Sequence, residues 1–220
     1  MRNVCDSLTS ARLIFWDFDG VIKDSVEVKS AVFENIFSRY GSDIALRVRQ
    51  HHRANGGVSR FEKIPLYLSW CEETVNSSDV NMLCDQFAQQ VIQRVIDSPW
   101  VPGVQEYLLN NYTEQYFVLV TATPYSEIMR ILEILDLDKC FKEVFGAPLI
   151  KTQVVKDVLI KSCCDKNYSL MIGDSRSDFD ASIANNIPFL LRRTSSNKSF
   201  QVTYSGPKFD DFGNESFIIY

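Results

Sequence analysis

The stretch "LIFWDFDGVIKDS" (residues 13–25) sets two carboxylates, Asp17 and Asp19, directly behind four apolar residues and follows them with Gly20. A buried strand gains nothing from carboxylates at its tip, because desolvating an unpaired charge costs more than packing returns. The pattern fits a plain strand-to-loop turn, a calcium loop, or the reacting end of an enzyme. An EF-hand fits poorly: its glycine stands at loop position six and a helix enters it. Gly20 is fourth counted from Asp17, and an apolar strand precedes it.

Two further runs share the character of "LIFW": "YFVLV" (116–120) and "SLMI" (169–172). All three are continuously apolar rather than alternating, which suits strands covered on both faces of a parallel sheet. Helical patterns lie between them: "GVQEYLL" after Pro102-Gly103, a segment over 125–135 after Pro124, and "TQVVKDVLIKSCC" before the third run. "EVFG" (143–146) and "PFLLR" (188–192) read as further strands. This alternation predicts an α/β fold, a Rossmann-like parallel sheet with right-handed crossovers.

The interval from Ser25 to Ser98 is different, because it holds no convincing strand. Phe33, Ile36, Phe37 and Tyr40 recur at helical spacing, with Gly41 placed to end the helix. Val80, Leu83, Cys84 and Phe87 repeat the spacing and continue through Val91 and Val95. Both stripes read as packing. About 75 residues of helix between the first two core strands predict an all-α cap over 25–98, inserted in a core made of 1–24 and 99–220.

The 220 residues, 45% apolar and 23% charged, suffice for a proper core. A net charge of −5 argues against a nucleic-acid partner, which needs a basic face. No apolar run reaches membrane-span length, and "MRNVCDSLTSAR" lacks the apolar centre of a signal peptide, so a cytoplasmic protein with no membrane partner is expected. The six cysteines, without CxxC spacing, read as reduced thiols.

Each apolar run leads into a polar residue: Asp17 and Asp19, then Thr121, then Asp174. In open parallel sheets the carboxyl ends of the strands face the ligand crevice, so these side chains should converge. Asp178 follows Asp174 by four residues and shares its face if a helix starts there. Packed carboxylates repel unless a cation neutralises them. With no histidine or cysteine beside them, an all-oxygen set favours magnesium over zinc.

"DFDGV", a threonine after the second strand, Lys151 opening a helix and "GDSRSD" after the next strand occur in that order. In this the sequence resembles the haloacid dehalogenase-like hydrolase superfamily from residue 12 to about 192, in its helical-cap subfamily of phosphoglycolate-phosphatase-like and β-phosphoglucomutase-like enzymes. The resemblance implies Asp17 as the nucleophile that becomes an aspartyl-phosphate, and Asp19 as general acid and base. It implies Mg2+ held by Asp17, the Asp19 carbonyl and Asp174, with Asp178 nearby or supporting. Thr121 and the following backbone at Ala122 would bind phosphoryl oxygens, and Lys151 would balance their charge; Lys156 and Lys161 on the same helix are the alternatives. Ser175 reads as a helix cap. An aspartate at 19 points to phosphate esters rather than carbon–halogen bonds.

In "HHRANGGVSRFEKI" (51–64), Gly57, Arg60 and Lys63 offer amides and charge to an anionic substrate group, and "GVSR" is similar to a β-phosphoglucomutase-like cap loop whose arginine grips the non-transferring phosphate. His51 and His52 read as packing or surface residues. The expected activity is hydrolysis of a small phosphorylated metabolite, a sugar phosphate or phosphoglycolate-like ester. A sugar phosphomutase is the alternative, and a silent sugar-phosphate-binding protein the third reading.

Overall fold

The computed structural model describes residues 4–71 and 76–213. Strands β1 (Leu13–Trp16), β2 (Tyr116–Pro124), β3 (Glu143–Ala147), β4 (Ser169–Gly173), β5 (Phe189–Arg192) and β6 (Lys208–Phe209) form one parallel sheet in the order β3-β2-β1-β4-β5-β6. β1 sits inside the sheet, with Leu13 level with Tyr116 on one side and Ser169 on the other. Successive strand side chains alternate between faces. Ile14, Trp16, Phe117, Leu119, Leu170 and Ile172 therefore share one apolar cluster, and Phe15, Val118, Val120 and Met171 another. Two covered faces explain why each run reads as unbroken hydrophobe.

The helices are α1 (Val4–Ser10), α2 (Val26–Phe37), α3 (Ser42–Ala54), α4 (Arg60–Ser69), α5 (Ser77–Asp97), α6 (Val104–Asn111), α7 (Tyr125–Ile134), α8 (Lys151–Ser162), α9 (Arg176–Asn185) and α10 (Lys198–Thr203). Those of α6 and α7 cover the first face through Val104, Leu108, Ile128 and Leu132, and those of α8 and α9 the second through Val155, Val158 and Ala181. The fold is the expected α/β sheet with an inserted helical cap: α2 to α5 lie between β1 and β2, with no paired strand among the described residues of the insert. Phe33 centres the insert, 4.2 Å from the Phe87 ring and 5.5 Å from Tyr67.

The chain enters and leaves the insert through paired segments. Asp24 N donates to Pro99 O at 2.8 Å and Val101 N to Ile22 O at 3.0 Å. Lys23, buried, donates from Nζ to Ile96 O at 2.9 Å and lies 4.3 Å over the Trp100 ring.

One local expectation needs correction, and both ends of the chain add structure. β2 runs four residues past Val120, so Thr121 lies within the strand rather than closing it; the register with β3 slips between Val120 and Pro124. The polar Thr121 and Thr123 end the apolar run yet are buried, because they face other polar groups in the crevice. A helix, α1, also precedes β1, and it is tied to the start of β2 where Gln115 Nε2 donates to Leu8 O and Ala11 O, both at 2.8 Å. At the other end, part of the C-terminal segment 205–220 becomes β6, and 214–220 lies outside the described residues. Cys71, Cys84, Cys140, Cys163 and Cys164 are free thiols, while the side chain of Cys5 lies outside the description. Among the described residues no helix is long and apolar enough to cross a membrane.

Candidate active site

The turn after β1 separates its two aspartates. Asp17 N still donates to Ile172 O at 3.0 Å, so the ladder with β4 outlasts the strand by one residue. Phe18 O then accepts from Val21, Ile22 and Lys23 N, closing a tight loop with Gly20 at φ +77°. That left-handed backbone suits glycine, and a Cβ there would stand 2.3 Å from Asp174 Oδ2.

Asp17, Asp174 and Asp178 are buried, and each offers an oxygen within 4.8 Å of the others. Asp174 follows β4, whereas α9 begins at Arg176, so the two aspartates do not share a helix face as expected. The turn at Ser175 brings Asp178 back instead: Asp178 Oδ2 accepts from Ser175 N at 3.1 Å and Ser175 Oγ at 2.5 Å. Ser175 is thus the cap of α9, in a capping box. Lys151, first residue of α8, places Nζ 2.9 Å from Asp17 Oδ2 and 2.6 Å from Asp178 Oδ1. Lys161 on the same helix pairs outward with Glu143, and Lys156 is exposed.

One ammonium among three buried carboxylates leaves negative charge over. Burial, then the Asp178 charge, raises the Asp17 carboxyl above its usual range despite Lys151. Burial and the charges of Asp17 and Asp178 raise Asp174 well above it. Burial alone would lower Lys151, but Asp17 and Asp178 hold it above its ordinary value and therefore charged. An all-oxygen donor set with surplus buried charge fits a hard divalent cation.

Asp19 faces the insert. Its Oδ1 accepts from Ser25 Oγ at 2.5 Å, and its Oδ2 from Lys29 Nζ and from Thr123 Oγ1 at 3.2 Å. Lys29 Nζ also donates to Thr123 Oγ1 at 2.8 Å. Burial would raise the Asp19 pKa, but the Lys29 charge and these hydrogen bonds hold it below the ordinary carboxylate value. Lys29 and Thr123 were not anticipated from the sequence. The available signal was spacing: Lys29 falls one helical turn after Ser25, and a single residue, Ala122, separates Thr123 from Thr121. Thr121 is buried, its Oγ1 accepting from Thr123 N at 3.2 Å.

Residues expected to meet substrate arrive from both sides. Gly57 O accepts from Ser177 Oγ at 3.2 Å, and a Cβ on Gly57 would stand 2.0 Å from that hydroxyl, so this loop of the insert closes tightly on the turn after β4. An open groove beside Lys151 is lined by Gly57, Ala122, Leu149, Ile150 and Ser177. A smaller chamber beside Asp19 is lined by Lys29, His52, Arg60, Ala122 and Glu127. Arg60 is engaged there in a two-pronged ion pair with Glu127 of α7, one contact being Nη1 to Oε2 at 3.0 Å. Lys63, 2% exposed, has its Nζ 6.0 Å from the Phe33 ring centre and does not line the chamber. His52 packs against Phe33 and bonds Ser30 Oγ at 2.9 Å, the packing role expected of it.

Two supports also escaped sequence reading. Asn197 Nδ2 donates to Asp174 O at 2.6 Å, and Arg192 donates to Gly20 O at 3.2 Å while pairing with Asp24. Both hold the aspartate-bearing turns from β5 and the loop beyond it.

With this geometry in view, the family profile described as haloacid dehalogenase-like hydrolase matches residues 14–191. The chain belongs to that hydrolase family. No curated protein matches it in sequence. The hydrolase fold recurs in solved structures. A chain described as a predicted phosphoglycolate phosphatase from Haemophilus somnus is 18% identical with TM-score 0.73, over 94% of this chain and 96% of that one. A β-phosphoglucomutase from Clostridium difficile is 14% identical with TM-score 0.74, over 92% of each. The haloacid dehalogenase-like hydrolase SP0104 from Streptococcus pneumoniae is 15% identical with TM-score 0.67, over 91% and 93%. At these identities the likeness is one of fold.

Proposed function

We propose that this hydrolase cleaves a small phosphomonoester through an aspartyl-phosphate on Asp17, with residues 25–98 acting as a cap over the site. The observation that carries the reading is Lys151 bridging Asp17 and Asp178 inside a buried carboxylate cluster. Asp17, Asp174 and Asp178 would hold Mg2+, which when bound supplies charge to screen phosphoryl oxygens from the attacking carboxylate. Lys151 adds a second cation to the same oxygens, and Thr121 with the Ala122 backbone offers donors to them.

Asp17 forms its bond to phosphorus as the ester oxygen leaves and takes a proton. Asp19 stands nearest the chamber where the leaving group sits, and as an ionised carboxylate it is set to remove a proton from water in the second half. In the first half it must first take from solvent water the proton it gives to the leaving oxygen, which displacing Lys29 from Asp19 on entry of the leaving group would favour. The chamber now has about 30 Å3 of space, so the leaving group enters when the cap moves away and is held once the cap closes again and Arg60 returns to Glu127.

Incubating the purified protein with Mg2+ and a panel of phosphomonoesters tests this by phosphate release. Asp17→Asn is expected to abolish turnover while circular dichroism stays unchanged, and a fully active Asn variant would refute the nucleophile assignment.

A further inference from the structure

We infer that Glu127 sets the substrate class by occupying Arg60, so that the leaving group is an uncharged, hydroxyl-bearing moiety rather than one with a second anion. The inference rests on the phosphomonoesterase reading of the site and goes beyond it to what the alcohol half must be. Arg60 opens α4 in the insert and Glu127 lies in the first turn of α7 on the sheet side. Their side chains, 7% and 12% exposed, meet through two hydrogen bonds across the chamber beside Asp19.

The charges lining that chamber are matched one to one. Lys29 is paired with Asp19, Arg60 with Glu127, and burial holds His52 neutral, well below its usual pKa. A carboxylate or second phosphate on the leaving group would have to evict Glu127 from Arg60. That would strand a carboxylate with its solvent gone, and stripping a buried charge of its partner is among the costliest single changes a protein site makes. Glu127 thus discriminates by penalising the wrong substrate.

A neutral hydroxyl has no such conflict. Arg60 Nε is buried without a hydrogen-bond partner among the described residues, and it can donate to a hydroxyl oxygen with the ion pair intact. The Arg60 guanidinium is centred 5.4 Å from the Phe87 ring, and Phe33 and Val58 give the chamber apolar walls, as suits the carbon face of a polyol or sugar.

Matched substrate pairs test this: sorbitol 6-phosphate against 6-phosphogluconate, and glucose 1-phosphate against glucose 1,6-bisphosphate. Each pair is measured as kcat/KM on the wild type and, independently of turnover, by calorimetric binding to the Asp17→Asn variant with Mg2+. The expected result is at least a tenfold preference for the neutral member. Glu127→Gln, which keeps shape but frees the Arg60 charge, should narrow the ratio at least tenfold. Wild-type preference for the charged members, or an unchanged ratio in Glu127→Gln, overturns the inference. If Glu127→Gln does not fold, the wild-type ratios alone decide. Absence of all turnover refutes the phosphatase reading instead, and the binding ratios still judge the role of Glu127.

Discussion

Replacing Lys63 with methionine should stabilise the protein, and by an amount that shrinks as pH rises. Lys63 is 2% exposed, and among the described residues its ammonium has neither an ion-pair partner nor a hydrogen-bond acceptor. Burial, then repulsion from Lys29, lowers its pKa from 10.5 to about 7, with Asp19 and Glu62 pulling the other way. A depressed amine pKa means that the unfolded chain binds the proton more tightly than the folded one. The penalty is therefore full below the folded pKa, falls between the two values, and vanishes above the unfolded one. At about 1.4 kcal/mol per pKa unit, methionine gains at most about 5 kcal/mol near pH 6 and about 2 near pH 9. Methionine preserves most of the volume, so repacking takes back only part of that. Two neighbours add to the effect at its acid end: after burial, the Lys63 charge lowers the pKa of His51 and of His52, so removing it relieves both, whereas Asp19 is held below the ordinary carboxylate value. The assay is urea unfolding of both proteins at several pH values across that range. In thermal terms the advantage should shrink by about 6–12 °C, at about 2–4 °C per kcal/mol for a chain of this size. Two curves that run parallel with pH, or a methionine variant less stable near pH 6, would refute the account of a buried, unpaired amine.

Gly20→Ala combines a left-handed backbone with a Cβ on top of the Asp174 carboxylate; it should cost roughly 1–3 kcal/mol in thermal melts and weaken Mg2+ binding measured by calorimetry. Adding Mg2+ to metal-stripped protein should raise the melting temperature, by about 2.7 kcal/mol equivalent at a hundred times the dissociation constant, and Asp174→Asn should blunt that rise. Lys29→Met removes the charge beside Asp19; its expected signature is a kcat loss of about tenfold or more with a shifted pH profile, and an unchanged profile would deny Lys29 any hold on that carboxylate.

What could be read in the sequence was what repeats or ends a pattern. Apolar runs such as "LIFW" announce doubly covered strands, and Asp17, Thr121 and Asp174 stand out because they interrupt them. Lys151 at a helix start could be singled out among three lysines because only a residue near the strand ends could reach inward. Lys29, Glu127 and Arg192 were not legible. Lys29 looks like any solvated helix lysine and Glu127 like an ordinary first-turn acid. Their partners Asp19, Arg60 and Asp24 lie 10, 67 and 168 residues away. No local pattern encodes such pairings, since they exist only once the insert has folded back on the sheet. For the same reason Arg60 could be read only as a free cation.

The paired segments at Ile22–Asp24 and Pro99–Val101 carry a consequence for how such a protein can be rebuilt. Since the two crossings already lie hydrogen-bonded side by side, a short hairpin turn could join them, and the entire helical insert could be exchanged as a cassette. The sheet would keep its register, and with it Asp17, Lys151 and Asp174. An exchanged insert would still meet Glu127 on α7, so the core keeps its own half of the chamber whatever helices close over it.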